Sequence, residues 1–308
     1  SFPNANFLLL LGEETTLIDS GFAAHAEATA GLVHAHSRRI SRVVNTHWHS
    51  DHVGGNAWFQ RAGAEIVGSV TDADDLDRAD PGCCVAEYLD QPVPQYLIDQ
   101  RIADGDRLLL GDSERSVLAV PGHTRGHLAF FNLEHRILTA GDTVSSYDVG
   151  WVNLMLDGPG ALVAAIDSVT RLRELDPRII LPGHGPAITD PQQTLGKAVD
   201  RLQRQRANLD LAVTYGARRI LAFALIIRDG MKPNDLDAYL HQQAWTRDAA
   251  GALNTTVGDF IRVLVDGMLT SGGLTLDRGV VRAATEATPV DPTVFDRARY
   301  PSPFPPEL

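Results

Sequence analysis

The sequence predicts a mixed α/β (α+β) protein: two β-sheets packed on each other with helices outside, followed by a smaller helical domain. Three observations predict it. Residues 7–46 and 101–182 each carry a run of short apolar or β-branched segments bounded by turn residues, and each run has helical stretches attached. Sheets with one apolar face bury it against each other and take helices on the outside. Beyond residue 190 helical pattern dominates, and it ends in "GGLTLDRGVVRA", which reads as a two-stranded ribbon.

In chain order, "FLLLL" at 7–11 and "TTLIDS" at 15–20 read as strands joined by a turn at "GEE". An alanine-rich helix at 22–37 leads to the strand "ISRVVNT" at 40–46, then to a helix at 52–62, the strand "AEIVGS" and an acidic helical stretch near 71–79. Residues 80–100 carry three prolines without clear period and read as an excursion over the site, a candidate lid. Strands follow in "DRLLLG", "RSVLAVPG", "HLAFFN" and "RILTAGD", then a helix at 159–175 and a strand in "DPRIILPGHG". Helical pattern then covers 191–216, 219–227, 233–247 and 255–270, and helices followed by a ribbon suggest a winged-helix arrangement. The expected division is 1–190, 191–285 and an extended proline-rich tail at 286–308.

Composition limits the function. With 308 residues, 44% hydrophobic and 21% charged, the chain is an ordinary globular protein, and its apolar runs are too short to span a bilayer. A formal charge of −12 argues against a broad nucleic-acid groove, and "RLQRQR" at 201–206 reads as a solvated helix face. Cys83 and Cys84 are adjacent and form a poor disulfide pair. The start "SFPNAN" has no signal-peptide organisation, so cytoplasm is the default expectation, with processed export left open.

The chemistry concentrates in "NTHWHSDHVGG" at 45–55, where His47, His49, Asp51 and His52 fall directly after a strand. Imidazole and carboxylate are ligands for zinc and similar divalent ions, and this many on one loop would leave buried polar groups unpaired without a metal. Read as an extended segment, the loop points His47 and His49 to one ion and Asp51 and His52 to another. Three further strand-to-loop turns repeat the pattern with His123 in "VPGHTRGH", Asp142 in "LTAGDTV" and His184 in "ILPGHG". Five histidines and two aspartates suffice for two ions sharing a bridging carboxylate. His25, His34, His36, His135 and His241 read as surface or helix residues.

These motifs resemble the metallo-β-lactamase superfamily, whose H-x-H-x-D-H hallmark stands here as His47-Trp48-His49-Ser50-Asp51-His52. "LIDSG", "GHTRGH", "GDT" and "PGHG" extend the resemblance in order over about residues 5–190. It implies a four-layer αββα sandwich. It also implies that His47, His49 and His123 hold one ion, Asp51, His52 and His184 hold the second, and Asp142 bridges. His127 falls outside that ligand set, and Asp19 resembles the family's aspartate that orients the ligand histidines. The C-terminal part is similar to the winged-helix branch of the β-lactamase-like protein 2 type.

Two zinc ions, with manganese or iron as substitutes, would activate a shared hydroxide to attack a carbonyl, with Asp51 orienting or deprotonating the water. The expected enzyme is a metal-dependent hydrolase of a small carbonyl substrate, an ester, lactone or thioester. The alternatives are β-lactam hydrolysis and a metal-dependent endoribonuclease. Tyr147, five positions after Asp142, is a candidate for contact with substrate, by similarity to lactonases that carry a tyrosine near this point. Trp48, Trp151 and Tyr88 are further candidates for the pocket wall. A homodimer through the appended helical domain is compatible with the sequence.

Overall fold

The computed structural model describes residues 2–37, 39–78, 82–291 and 293. The first sheet is formed by β1 (Leu8–Leu10), β2 (Thr16–Ile18), β3 (Arg42–Val44), β4 (Glu65–Ser69) and β5 (Gln100–Ile102), in that spatial order. β1 and β2 are an antiparallel hairpin, and β2 to β5 run parallel. The second sheet contains β6 (Arg107–Leu110), β7 (Ser113–Ala119), β8 (Leu128–Asn132), β9 (Ile137–Gly141) and β10 (Ile179–Pro182), antiparallel except for the β9–β10 pair. Ile18, Val44 and Val67 of the first sheet meet Val117, Leu128 and Phe130 of the second in one buried cluster. That cluster is the seam of the sandwich, and β-branched and aromatic residues at alternating positions build it.

Helices cover both outer faces. On the first sheet lie α1 (Ala26–His34), α2 (Ser50–Val53), α3 (Asn56–Arg61) and α4 (Val70–Asp77), with α5 (Ala86–Leu89) in the following excursion. α6 (Leu154–Asp157) and α7 (Gly160–Glu174) follow β9, and α8 (Pro191–Ala207) packs on α7 over the second sheet. α9 (Leu209–Ile227), α10 (Pro233–Gln242), α11 (Ala244–Ala252) and α12 (Val257–Thr270) share a core around Trp245, Leu221 and Leu240, closed by the ribbon β11 (Leu274–Asp277) and β12 (Val280–Ala283). The αββα order and the C-terminal helices agree with the sequence reading. No helix among the described residues is long and apolar enough to cross a membrane.

Three local expectations differ from the structure. Asp51 and His52 are not on an extended segment: helix α2 begins at Ser50, so the ligand loop bends between His49 and Asp51. The long C-terminal helices part at Asn208, not near 217, because Asn208 leaves helical geometry (φ −140°, ψ 94°) and its side chain accepts the Leu211 N–H. The 80–100 excursion, described from residue 82, is no free lid: Cys83, Cys84, Val93 and Tyr96 are buried in the core of the first sheet's outer face. Both cysteines are free. Most of the 286–308 tail lies outside the described residues; its start pairs with the N-terminal stretch, the Thr288 N–H donating to Phe2 O at 2.7 Å.

Candidate metal centre

Every loop that carries chemistry leaves the same edge of the sandwich. Asp19 follows β2, His47 follows β3, Asp142 follows β9 and His184 follows β10, so the sheets deliver their loops to one place. Sites of α/β sheets collect at such strand ends.

All seven residues singled out as ligands come together there. Ligand atoms of His47, His49 and His123 lie within 4.8 Å of one another, as do those of Asp51, His52 and His184, and those of His47, His52 and Asp142. The Nε2 of His47 is 3.2 Å from the Nδ1 of His49. Asp142 stands between the two groups: its Oδ2 is 3.7 Å from Nε2 of His123 and 3.4 Å from Nε2 of His184, and its Oδ1 is 3.4 Å from Nε2 of His52. The Nε2 of His184 is 3.1 Å from Asp51 Oδ2.

The rings are oriented from behind. Asp19 accepts the Thr46 backbone N–H on Oδ1 and both the Thr46 hydroxyl and Nδ1 of His52 on Oδ2, each at 2.8 Å. The Thr46 hydroxyl is in turn 3.0 Å from Nδ1 of His47. The His123 Nδ1 donates to the Trp151 carbonyl at 2.7 Å. A ring whose Nδ1 proton is held this way presents the lone pair of Nε2 to the site. Asp19 holds φ 59° at the end of β2, the left-handed region that a short acidic side chain tolerates, and this turns its carboxylate under the ligand loop.

The buried, unpartnered atoms fit a divalent cation. Nε2 of His52, Nε2 of His123 and Oδ1 of Asp142 are buried and make no hydrogen bond, although buried polar atoms are nearly always paired. Imidazole nitrogens and a carboxylate at these separations are a zinc-type donor set. Electrostatics divides the site in the same way. Burial and the neighbouring rings hold His47 and His49 well below the ordinary imidazole value, and burial lowers His123. Burial acts in the same direction on His52 and His184, but carboxylates outweigh it: Asp142, Asp19 and Asp51 hold His52 well above its usual value, and Asp142 with Asp51 pushes His184 up to about 9. One group of rings is therefore neutral, while the carboxylate-rich group attracts positive charge.

Close backbone approach is needed at two places. A Cβ at Gly183 would stand 2.1 Å from Asp142 Oδ1 and 2.8 Å from His52 Cε1, so glycine there lets the β10 loop reach the centre. Gly54 ends α2 and Gly55 stands at the N-terminus of α3; a Cβ on them would lie 2.2 Å from Ala23 N and 2.5 Å from Ser20 O, so both let this turn pack against the β2 loop.

A cavity of roughly 330 Å³ opens on the centre, with His49, Asp51, His123, Asp142 and His184 at its base. Leu89, Ile220, Phe223 and Ile226 give it an apolar wall, three of them from α9. Tyr147 lies on its rim, 54% exposed, and Trp151 lies on its wall with its ring parallel to His49 at 5.9 Å between centroids. Trp48 is buried in the core beneath the first sheet's helices, and Tyr88 donates to Asp248 outside the cavity lining. His127 is not in any of the three donor groups; its ring packs against His47 at 4.7 Å, and its Nδ1 meets the Thr143 hydroxyl at 3.4 Å. Sequence reading missed Thr46, the Trp151 carbonyl and Phe2, whose ring stacks on His184 at 4.8 Å. The position of Thr46 beside His47 was a usable signal for the first; the other two are set by tertiary contacts.

A family model described as the metallo-beta-lactamase superfamily matches residues 2–184. Among curated proteins, an atrochrysone carboxyl ACP thioesterase from Aspergillus fumigatus is 30% identical over 209 residues, covering 67% of this chain and 58% of that protein. A hydroxyacylglutathione hydrolase from Rhodospirillum rubrum is 33% identical over 163 residues, 52% of this chain and 54% of that one. The matches thus span little more than half the length of these relatives. The solved structure of a metallo-beta-lactamase family protein from Thermus thermophilus is similar in fold, with a TM-score of 0.54 and 21% identity over 91% of this chain and 93% of that one.

Proposed function

We infer the reaction from family membership: the chain belongs to the metallo-β-lactamase superfamily, and its relatives are hydrolases. The reading that fits the site best is a hydrolase of thioesters, with esters and lactones as neighbouring substrates, that works with two divalent cations. The observation that carries it is the pair of unpartnered Nε2 atoms on His52 and His123, on opposite sides of Asp142. His47, His49 and His123 would hold one cation, Asp51, His52 and His184 the other, with Asp142 shared. Zinc suits the donors, and manganese or iron would also be accepted.

When bound, the two cations supply Lewis acidity at the substrate carbonyl and bring the pKa of a water toward neutrality. The protein's own residues do the rest. Asp51, which lines the cavity, would orient that water and receive its proton. The apolar wall from Leu89, Ile220, Phe223 and Ile226 takes an acyl group and excludes water around the reacting carbonyl. Tyr147, on the rim, offers a hydroxyl to the part of the substrate that leaves the cavity. We read residues 191–285 as an accessory domain of winged-helix type whose α9 completes the pocket. A thioester is preferred because the two relatives compared are named for thioester substrates and the wall is apolar.

The test is a panel assay on metal-loaded protein with an acyl thioester, a lactone, an aryl ester, a β-lactam and RNA. Thiol release from the thioester is the expected dominant activity. Dominant β-lactam turnover or RNA cleavage would replace this reading with another, and loss of metal without loss of turnover would remove its basis.

A further inference from the structure

Among the described residues, the cavity over the metal centre is lined by a single carboxamide, that of Gln91. Gln91 is 6% exposed and held at three points. Its side-chain Oε1 accepts from the hydroxyl of Ser50 at 2.5 Å, and Ser50 is fully buried between His49 and Asp51. Its backbone N–H donates to Ala86 O at 2.9 Å. Its neighbour Asp90, at φ 52°, forms a buried ion pair with Arg228 at the end of α9, and Arg228 also donates to Asp90 O at 3.0 Å. The Arg228 guanidinium lies over the Tyr239 ring, 4.9 Å from its centroid, which ties this short loop to the C-terminal helices.

With Oε1 committed to Ser50, the Nε2 amide group is turned away from its anchor, and it donates to no described residue. A carboxamide has two N–H donors, and beside this apolar-walled cavity they are available to a bound acyl group. We propose that Gln91 donates one of them to the carbonyl oxygen of the substrate's scissile acyl group, as a catalytic residue. This rests on the hydrolase reading above. Charge accumulates on that oxygen as the carbonyl is attacked, so a donor fixed beforehand stabilises the transition state more than the ground state and spends nothing on reorganisation. The anchor is apt because Ser50 belongs to the same turn as His49 and Asp51, so the donor and the metal ligands keep a constant relation.

The test uses the metal-loaded 308-residue chain with Gln91→Met, which keeps length and removes both donors, and Gln91→Glu, which keeps the acceptor toward Ser50. The expected result is a fall in kcat on the order of 10²-fold for thioester hydrolysis, with KM, metal content and Tm close to wild type. Ser50→Ala, which frees the amide without removing it, gives an intermediate loss and serves as the third variant if Gln91→Met loses fold or metal. A second readout needs no turnover: a ketone analogue with CH₂ in place of the thioester sulfur is bound, and its carbonyl stretch is recorded by infrared difference spectroscopy. The stretch lies lower in wild type than in Gln91→Met if the hydrogen bond forms. A kcat within about threefold of wild type in both Gln91 variants, or equal carbonyl frequencies, overturns the proposal. Absence of thiol release by the wild type would instead overturn the hydrolase reading, and the carbonyl frequency would still decide the hydrogen bond.

Discussion

Asp19 and His52 are joined by a 2.8 Å hydrogen bond between the carboxylate Oδ2 and the ring Nδ1, and the same oxygen accepts the Thr46 hydroxyl that contacts His47. One buried carboxylate therefore sets ring orientation on both sides of the centre. Asp19→Asn is the clean substitution, since asparagine also accepts the left-handed backbone at this position. It is expected to weaken metal affinity by about 10- to 100-fold, measured by competition with a chromophoric chelator. An unchanged affinity would mean that the carboxylate serves folding alone.

Gly183 gives a second prediction. In Gly183→Ala the new methyl would be placed 2.1 Å from Asp142 Oδ1, against a side chain that lies between both donor groups. The expected outcome is loss of more than about tenfold in activity, as expected for displaced catalytic groups, with reduced metal content. Gly31→Ala is the control, because nothing lies within 4 Å of its added Cβ in helix α1. That change is expected to stabilise by about 0.5–1 kcal/mol, read as a rise in Tm at unchanged turnover.

Asp72 sets a pH dependence of stability. Burial pushes its carboxyl up to about 7, with the nearby Asp75 acting in the same direction while Ser69 and Arg125 oppose. The folded state thus keeps a proton that the unfolded chain releases above about pH 4, so stability falls as pH rises from there toward 7. Asp72→Asn removes this dependence. Its Tm relative to wild type should climb between pH 5 and pH 8, and a parallel offset at all pH values would count against the assignment.

Asn208 separates α8 from α9 by capping the second helix through Leu211. Asn208→Ala is expected to cost about 1 kcal/mol, seen as a lower denaturation midpoint in urea, without a change in metal content.

Much of this was legible in the sequence because the chemistry is local. Crowded donors at 47–52, each further donor beside a glycine turn, and the alternation of strand and helix all leave marks within a few residues. What was not legible depends on tertiary contact. Nothing in "VTDADDLD" shows that Asp72 is buried, and nothing in "YLDQP" shows that Gln91 reaches the cavity. The 82–98 stretch looks loose by composition, yet Val93 and Tyr96 are core residues because they fill the space beside Phe59 and Leu76. β5 pairs with β4 across a long excursion, so no short-range signal assigned it to the first sheet. The bend at Ser50 escaped because an extended loop and a helical first turn both place His47 and His49 next to Asp51 and His52 in sequence.

The central claim is that the seven side chains form two cation sites joined by Asp142. Metal stoichiometry by inductively coupled plasma mass spectrometry, on wild type and His184→Ala after loading and desalting, tests it most directly. The account predicts two cations per chain in wild type and about one in His184→Ala, whose first donor group of His47, His49 and His123 is intact. One cation or none in the wild type, or an unchanged count in the variant, would contradict it.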